Sequence, residues 1–237
     1  MELELQQVDY DQYFVYDRQI HVWGVETQKR IMKADILFVN CDYLCCEILK
    51  NVVLAGINVT LFDSTLVSED EYKESIFLRK GDIGKNRAEC VSSRLQELNP
   101  RATINVLSHC SVSAYVHYSM VIFSNMDCDS LAEIQFSSFT IPFFAVYGNG
   151  AYSYIIYLNI FDFTLLRLNK EQLQARNPDS TLWRLRSQPI VHSPVAIAAI
   201  LGGFMTEFIV SSLSGEDKMD SVFEFDGFSM NGTMYSF

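Results

Sequence analysis

Between residues 36 and 147 short apolar runs alternate with stretches of helical periodicity, and this alternation restricts the fold more than anything else in the chain. Ile36 to Asn40 (ILFVN) predicts a buried parallel strand. A helix follows from about Leu44 to Ala55, with Leu44, Ile48, Val52 and Ala55 on one face and Gly56 as its stop. Val59 to Phe62 predicts a second strand, ending at Asp63, and a helix from about Lys85 to Leu98 is closed by Asn99-Pro100. Thr103 to Leu107, Met120 to Phe123 and Pro142 to Tyr147 supply the third, fourth and fifth strands. Parallel neighbours need long crossover connections, so this order predicts an α/β fold with a Rossmann-like, doubly wound, mostly parallel sheet.

The rest of the chain departs from that repeat. Ala151 to Ile160 (AYSYIIYLNI) follows Gly148-Asn149-Gly150 so closely that an antiparallel extension is expected. Residues 161–192, with Asn177-Pro178 and Gln188-Pro189, read as a connector. Ser193 is expected to cap a long apolar helix with Pro194 at its first position, running to about Leu213. The Gly202-Gly203 pair inside it costs about 1 kcal/mol per glycine relative to alanine, which predicts a close packing contact. The closing VFEFDGFSMNGTMYSF predicts two short strands. Residues 1–237 are therefore read as one domain: a core over 10–160, the connector over 161–192, and a helix with strands over 193–237.

Composition excludes several classes of function. A net charge of −11 opposes phosphate backbones, and the one basic cluster, Arg176, Arg184 and Arg186, falls in the connector, so no nucleic-acid partner is expected. Apolar runs such as Val195 to Leu201 are shorter than the roughly 18 to 20 residues a bilayer requires, and MELELQQVDYDQ is acidic rather than a basic leader. No membrane association is expected, and the chain is read as intracellular. Cys41, Cys45, Cys46, Cys90, Cys110 and Cys128 contain no C-x-x-C pair, so packing rather than metal binding is expected of them.

In a Rossmann unit the turn after the first strand holds phosphates, because glycines let backbone N–H groups approach them. Here that turn reads Asn40-Cys41-Asp42-Tyr43-Leu44-Cys45, without a glycine. Asp42 puts a negative charge where a triphosphate would sit, and Tyr43 and Cys45 put side chains where a backbone must come close. Asp63 stands where a carboxylate usually holds ribose hydroxyls, although an aspartate after a strand is also an ordinary turn or cap residue. No tyrosine is followed by lysine four positions later, and no cysteine follows Cys128.

Tyr16 to Gly24 (YDRQIHVWG), followed by Glu26, Gln28 and Lys29-Arg30, resembles the opening of activating enzymes for ubiquitin-like proteins, usually YDRQ-x-R-L-W-G. Further matches run in the same order: Glu47 to Gly56 (EILKNVVLAG), Ile83 to Glu89 (IGKNRAE), Leu95 to Pro100 (LQELNP), Pro194 to Gly203 (PVAIAAILGG) and Phe223 to Gly227 (FEFDG). The resemblance implies a pseudo-symmetric pair of adenylation domains, related to the bacterial ThiF/MoeB proteins, of which one half binds ATP and Mg²⁺ and adenylates the modifier's terminal glycine. A cysteine in a separate domain then takes the modifier over as a thioester. This chain resembles the inactive, Aos-like half, whose phosphate loop is commonly impaired.

Residue by residue, the resemblance implies that Arg18 reaches across the dimer to the ATP phosphates of the partner's site. Asp63 matches the ribose acid, Arg87 stands where active halves carry a phosphate-contacting lysine, and Asp127 lies near a Mg²⁺-associated aspartate; all three are read as degenerate remnants. Glu74 reverses the charge of a family arginine, and His21 replaces another. The chain is expected to bind no cofactor or metal alone, with ATP and Mg²⁺ in a catalytic partner subunit, and to meet the modifier only through that heterodimer, in nucleus and cytoplasm. About 30 residues of connector cannot bury a core, so the catalytic-cysteine domain must belong to the partner. PFFAVYGNGAY and FEFDG resemble the SUMO type, whereas EILKN, IGKNRAE and LQELN also fit the Nedd/Rub type. A self-sufficient ThiF/MoeB-like adenylyltransferase and a pure scaffold compete with both.

Overall fold

The computed structural model describes residues 14–126, 128–134, 136–159, 170–176, 178–182, 184, 193–215 and 222–235. After the helical residues 14–15 and a turn at Tyr16 come α1 (Asp17–Trp23) and α2 (Val25–Lys33), joined at Gly24. Then come β1 (Asp35–Val39), α3 (Tyr43–Leu54), β2 (Asn58–Phe62), the single turn α4 (Glu71–Glu74), α5 (Arg87–Leu98), β3 (Ile104–Leu107), β4 (Met120–Ser124) and α6 (Cys128–Ala132). The chain continues through β5 (Phe143–Asn149), β6 (Tyr152–Tyr157), α7 (Lys170–Arg176), α8 (Val195–Ser214), β7 (Val222–Asp226) and β8 (Asn231–Tyr235).

The eight strands among the described residues form one sheet in the order β3-β2-β1-β4-β5-β6-β7-β8. β1 to β5 are parallel, and β6, β7 and β8 add antiparallel to the β5 side. Leu37 and Phe38 of β1 and every residue of β4 are buried, as expected of central strands covered on both faces. One face packs under α3, α5 and α8. The other is closed by Tyr115, Leu131, Phe136 and Leu182, which sit on or near short helical turns rather than full helices.

Capping sets the helix starts. The Asp42 side chain accepts the Cys45 amide at 2.9 Å, so α3 begins at Tyr43, one residue before the predicted Leu44. Asn86 does the same for the Glu89 amide at 3.0 Å, and α5 begins at Arg87 instead of Lys85. α8 corrects two expectations and bears out a third. Ser193 makes no side-chain cap; Pro194 is the cap residue, and the Ser193 amide donates instead to the Tyr43 hydroxyl at 2.9 Å. A Cβ on Gly202 would meet the Glu47 carbonyl of α3 at 3.0 Å, which is the predicted close contact, whereas Gly203 faces open space. Finally, the helix spans 20 residues and by length and composition alone could cross a bilayer. Isolated Thr206 and Glu207 interrupt the apolar run without ending the helix, and Ile197, Leu201, Met205 and Ile209 lie in the core against α3.

Much of the predicted connector, including Arg186, lies outside the described residues. What is described folds onto the sheet: the buried Glu224 carboxylate of β7 accepts from Ser180 Oγ at 3.0 Å and from the Thr181 amide at 2.9 Å, and Leu182 is buried beside it.

Candidate functional site

The order of the sheet defines a crevice. From β1 the chain moves one way to β2 and β3 and later the other way to β4 and β5, so the carboxyl ends of β1 and β4 flank the point where open α/β sheets hold ligands. Asn40 follows β1 with φ 70° and Asn125 follows β4 with φ 44°, left-handed conformations that asparagine tolerates. These turns let the two strand ends join side chains across the crevice. Asn40 Nδ2 donates to the Ser124 carbonyl at 2.6 Å, and Asn125 Oδ1 accepts the Gly148 amide at 2.9 Å.

Asp42 occupies the anion position at the start of α3. Its carboxylate accepts the Cys45 amide, Ser124 Oγ at 2.7 Å and Asn125 Nδ2 at 2.5 Å. Burial pushes the carboxyl above its ordinary pKa, against these hydrogen bonds and the charge of Arg87. The helix terminus that would bind a phosphate thus carries the chain's own carboxylate. Beside it the Tyr43 ring runs toward the start of α8, and a Cβ on Gly148 would stand 2.8 Å from its hydroxyl.

Asp63 and Arg87, the expected ribose and phosphate residues, are spent on each other. Arg87 Nε donates to Asp63 Oδ2 at 2.6 Å, and the same carboxylate accepts the amides of Cys41 at 2.7 Å and Thr65 at 2.8 Å. Asp63 thus also does the ordinary work of an aspartate that closes the turn after a strand. The remaining Arg87 nitrogens bond Glu71 and Asn40. Desolvation works against the Arg87 charge, but the neighbouring carboxylates of Asp63, Glu71 and Asp42 outweigh it and raise its pKa. Glu71 belongs to the SEDEYKE run, which reads locally as a solvated acidic face; only the fold brings it over Arg87.

What remains between these groups is a cavity of about 40 Å³, lined by Asp42, Tyr43, Glu71, Glu74 and Arg87 among others. A single water needs roughly 10–15 Å³ of such space, while small-molecule sites usually span about 300–1,000 Å³. ATP does not fit these residues in volume or in charge. A recess of about 360 Å³ lies beside Trp23, Glu207 and Val210, and one of about 250 Å³ beside Asp179, Glu224 and Asp226; among the described residues neither is lined by a basic side chain.

Arg18 takes no part in this crevice. It is exposed on α1 and makes no ion pair or hydrogen bond among the described residues. The two nearby acids are otherwise engaged, Asp17 with His21 at 3.6 Å and Glu26 with Lys29 at 2.7 Å. Asp127 lies outside the described residues. Cys41, Cys45 and Cys46 are wholly buried, burial raising the thiol pKa of the latter two, and no group of three potential metal ligands occurs among the described residues.

A family model described as ThiF family matches residues 16–133. The chain is 26% identical over 185 residues to the DNA damage tolerance protein RHC31 of Saccharomyces cerevisiae, a match covering 75% of this chain and 52% of that protein. It is 40% identical over 92 residues to SUMO-activating enzyme subunit 1 of Homo sapiens, covering 38% and 27%, and 32% identical over 133 residues to the DNA damage tolerance protein rad31 of Schizosaccharomyces pombe, covering 54% and 43%. The matches thus span about half or less of these relatives' length. Among solved structures, PaaA superposes with a TM-score of 0.74 at 15% identity, covering 98% of this chain and 84% of that one. E. coli MccB with MccA-N7isoASN gives 0.70 at 11% identity, covering 94% and 72%. At such identities the likeness is one of fold.

Proposed function

This chain belongs to the ThiF family through residues 16–133, and from that premise we propose that it is the non-catalytic subunit of a heterodimeric activating enzyme for a ubiquitin-like modifier of the SUMO type. The observation that carries this reading is the Asp42 carboxylate bonded across the start of α3. A negative group held there by three donors repels the triphosphate that the family's active halves adenylate with, so the chain needs a partner that binds ATP and Mg²⁺. No step of the reaction runs through its own crevice.

Its contribution is made in trans. Arg18 is charged, exposed and without an intrachain partner among the described residues, which suits it to meet the ATP phosphates in the catalytic subunit. There the fixed charge and planar fork of a guanidinium would offset negative charge as the modifier's carboxylate attacks the α-phosphate. The thioester forms on the partner's cysteine. Relatives named SUMO-activating enzyme subunit 1 favour the SUMO type over the Nedd/Rub type, and the occupied anion position disfavours a self-sufficient adenylyltransferase. We place the complex in nucleus and cytoplasm.

The test is to purify the chain alone and with candidate catalytic subunits and to measure modifier-dependent ATP–pyrophosphate exchange. Exchange is expected only in the heterodimer, with SUMO preferred over a Nedd-type modifier. Exchange by the isolated chain, or no complex with any such subunit, would overturn the proposal.

A further inference from the structure

Three sequence motifs meet at one point that the trans role of Arg18 leaves unexplained. Tyr16 opens YDRQIHVWG, Gly56 closes EILKNVVLAG and Asn99 lies in LQELNP. In the fold the Tyr16 ring is 3% exposed, and its hydroxyl accepts a hydrogen bond from Asn99 Nδ2 at 3.0 Å. The same Nδ2 donates to the Val53 carbonyl at 2.7 Å. A Cβ on Gly56 would stand 2.8 Å from both Cζ and the hydroxyl of Tyr16, and Gly56 has φ +92°, so this position excludes a side chain on two counts.

α1 needs such an anchor. It has seven residues, none of them buried, whereas isolated helices shorter than about 12–15 residues are marginal in water. Tyr16 is its N-cap residue but supplies no capping hydrogen bond; what it supplies is a buried ring. Gln19 Nε2 reaches the Leu54 carbonyl at 3.4 Å. At the other end of α1, its last residue Trp23 donates through Nε1 to Gln28 Oε1 at 2.9 Å, and Gln28 Nε2 donates to the Ala55 carbonyl at 3.0 Å. Every one of these tethers lands on residues 53–56, the turn that ends α3, and Arg18 stands between them.

We propose that Tyr16, Gly56 and Asn99 form a positioning lock that fixes α1 on the 53–56 turn and thereby sets where the Arg18 guanidinium is presented to the partner subunit. The inference rests on the trans role of Arg18. Tyr16 touches no reacting group in it; it acts only by holding the first turn of α1, two residues before Arg18.

The test uses the heterodimer carrying Tyr16→Phe, which keeps the ring and deletes the hydroxyl, alongside Arg18→Ala and the double variant. Modifier-dependent ATP–pyrophosphate exchange is followed against ATP concentration, and amide hydrogen exchange is followed over residues 17–23. Tyr16→Phe is expected to slow pyrophosphate exchange about three- to tenfold at limiting ATP, the scale of one lost hydrogen bond, and to speed amide exchange in α1. It should add nothing in the Arg18→Ala background. Asn99→Ala, which removes the other half of the bond, should reproduce this non-additivity even if it also lowers stability. Effects that multiply with Arg18→Ala, or a loosened α1 with unchanged kinetics, would overturn the lock while leaving the trans role intact. An Arg18→Ala heterodimer with unchanged kinetics would remove both.

Discussion

Arg87 Nε lies 2.6 Å from Asp63 Oδ2, and both side chains are buried. The two groups that resemblance assigns to a triphosphate and a ribose satisfy each other. Calorimetric titration of the isolated chain should therefore show no ATP binding in the micromolar range. Arg87→Ala should not open the site but should cost about 3 kcal/mol in chemical denaturation, because it strands a buried carboxylate; a loss below about 1 kcal/mol would contradict the closed arrangement.

Asp42 should reveal itself through pH. Its folded-state pKa is raised by burial, so the folded chain holds this proton more tightly than the unfolded chain. Stability from this group is present near the ordinary aspartate value and declines as pH rises from there through the folded-state value. Asp42→Asn cannot titrate, and asparagine is as good an N-cap residue. The wild type should gain stability relative to Asp42→Asn as pH falls from 7 toward about 4; parallel profiles would show that the carboxyl is not perturbed.

Arg18→Ala should leave heterodimer assembly and melting temperature unchanged and slow adenylation by the partner roughly tenfold or more at limiting ATP, the effect of about 1.4 kcal/mol in the transition state. A scaffold role predicts normal kinetics from the same complex.

The adjacent glycines of α8 should respond in opposite directions. Gly202→Ala drives a methyl group toward the Glu47 carbonyl and should destabilise by about 1–3 kcal/mol, whereas Gly203→Ala enters open space and should stabilise by up to about 1 kcal/mol. Thermal melts of the two variants decide this, and shifts of the same sign would place α8 differently on α3.

The strands and crossover helices were legible because their signal is local: ILFVN announces β1, and the glycine-free turn after it announces a lost phosphate loop. What fills the site was not legible. Asp42 is held by Ser124 and Asn125, more than 80 positions away, and that pairing exists only once β4 lies beside β1. Glu71 sits in an acidic run indistinguishable from a solvated face until the fold sets it against Arg87. Ser193 misled for the converse reason: Ser-Pro before an apolar run is a good local cap signal, but the Tyr43 hydroxyl, 150 positions earlier, takes the Ser193 amide.

The packing of α8 on α3 also governs how the chain can be made. Leu44, Ile48, Leu49 and Val52 of α3 belong to the same buried cluster as Leu201 and Met205, yet the Glu47–Gly202 contact joins residues about 150 positions apart. At roughly 5–20 residues per second a ribosome needs about 8 to 30 s to cover that distance. Throughout that interval α3 has only the sheet and α5 to pack against, so its seam with α8 closes only after the residues around Gly202 have been made.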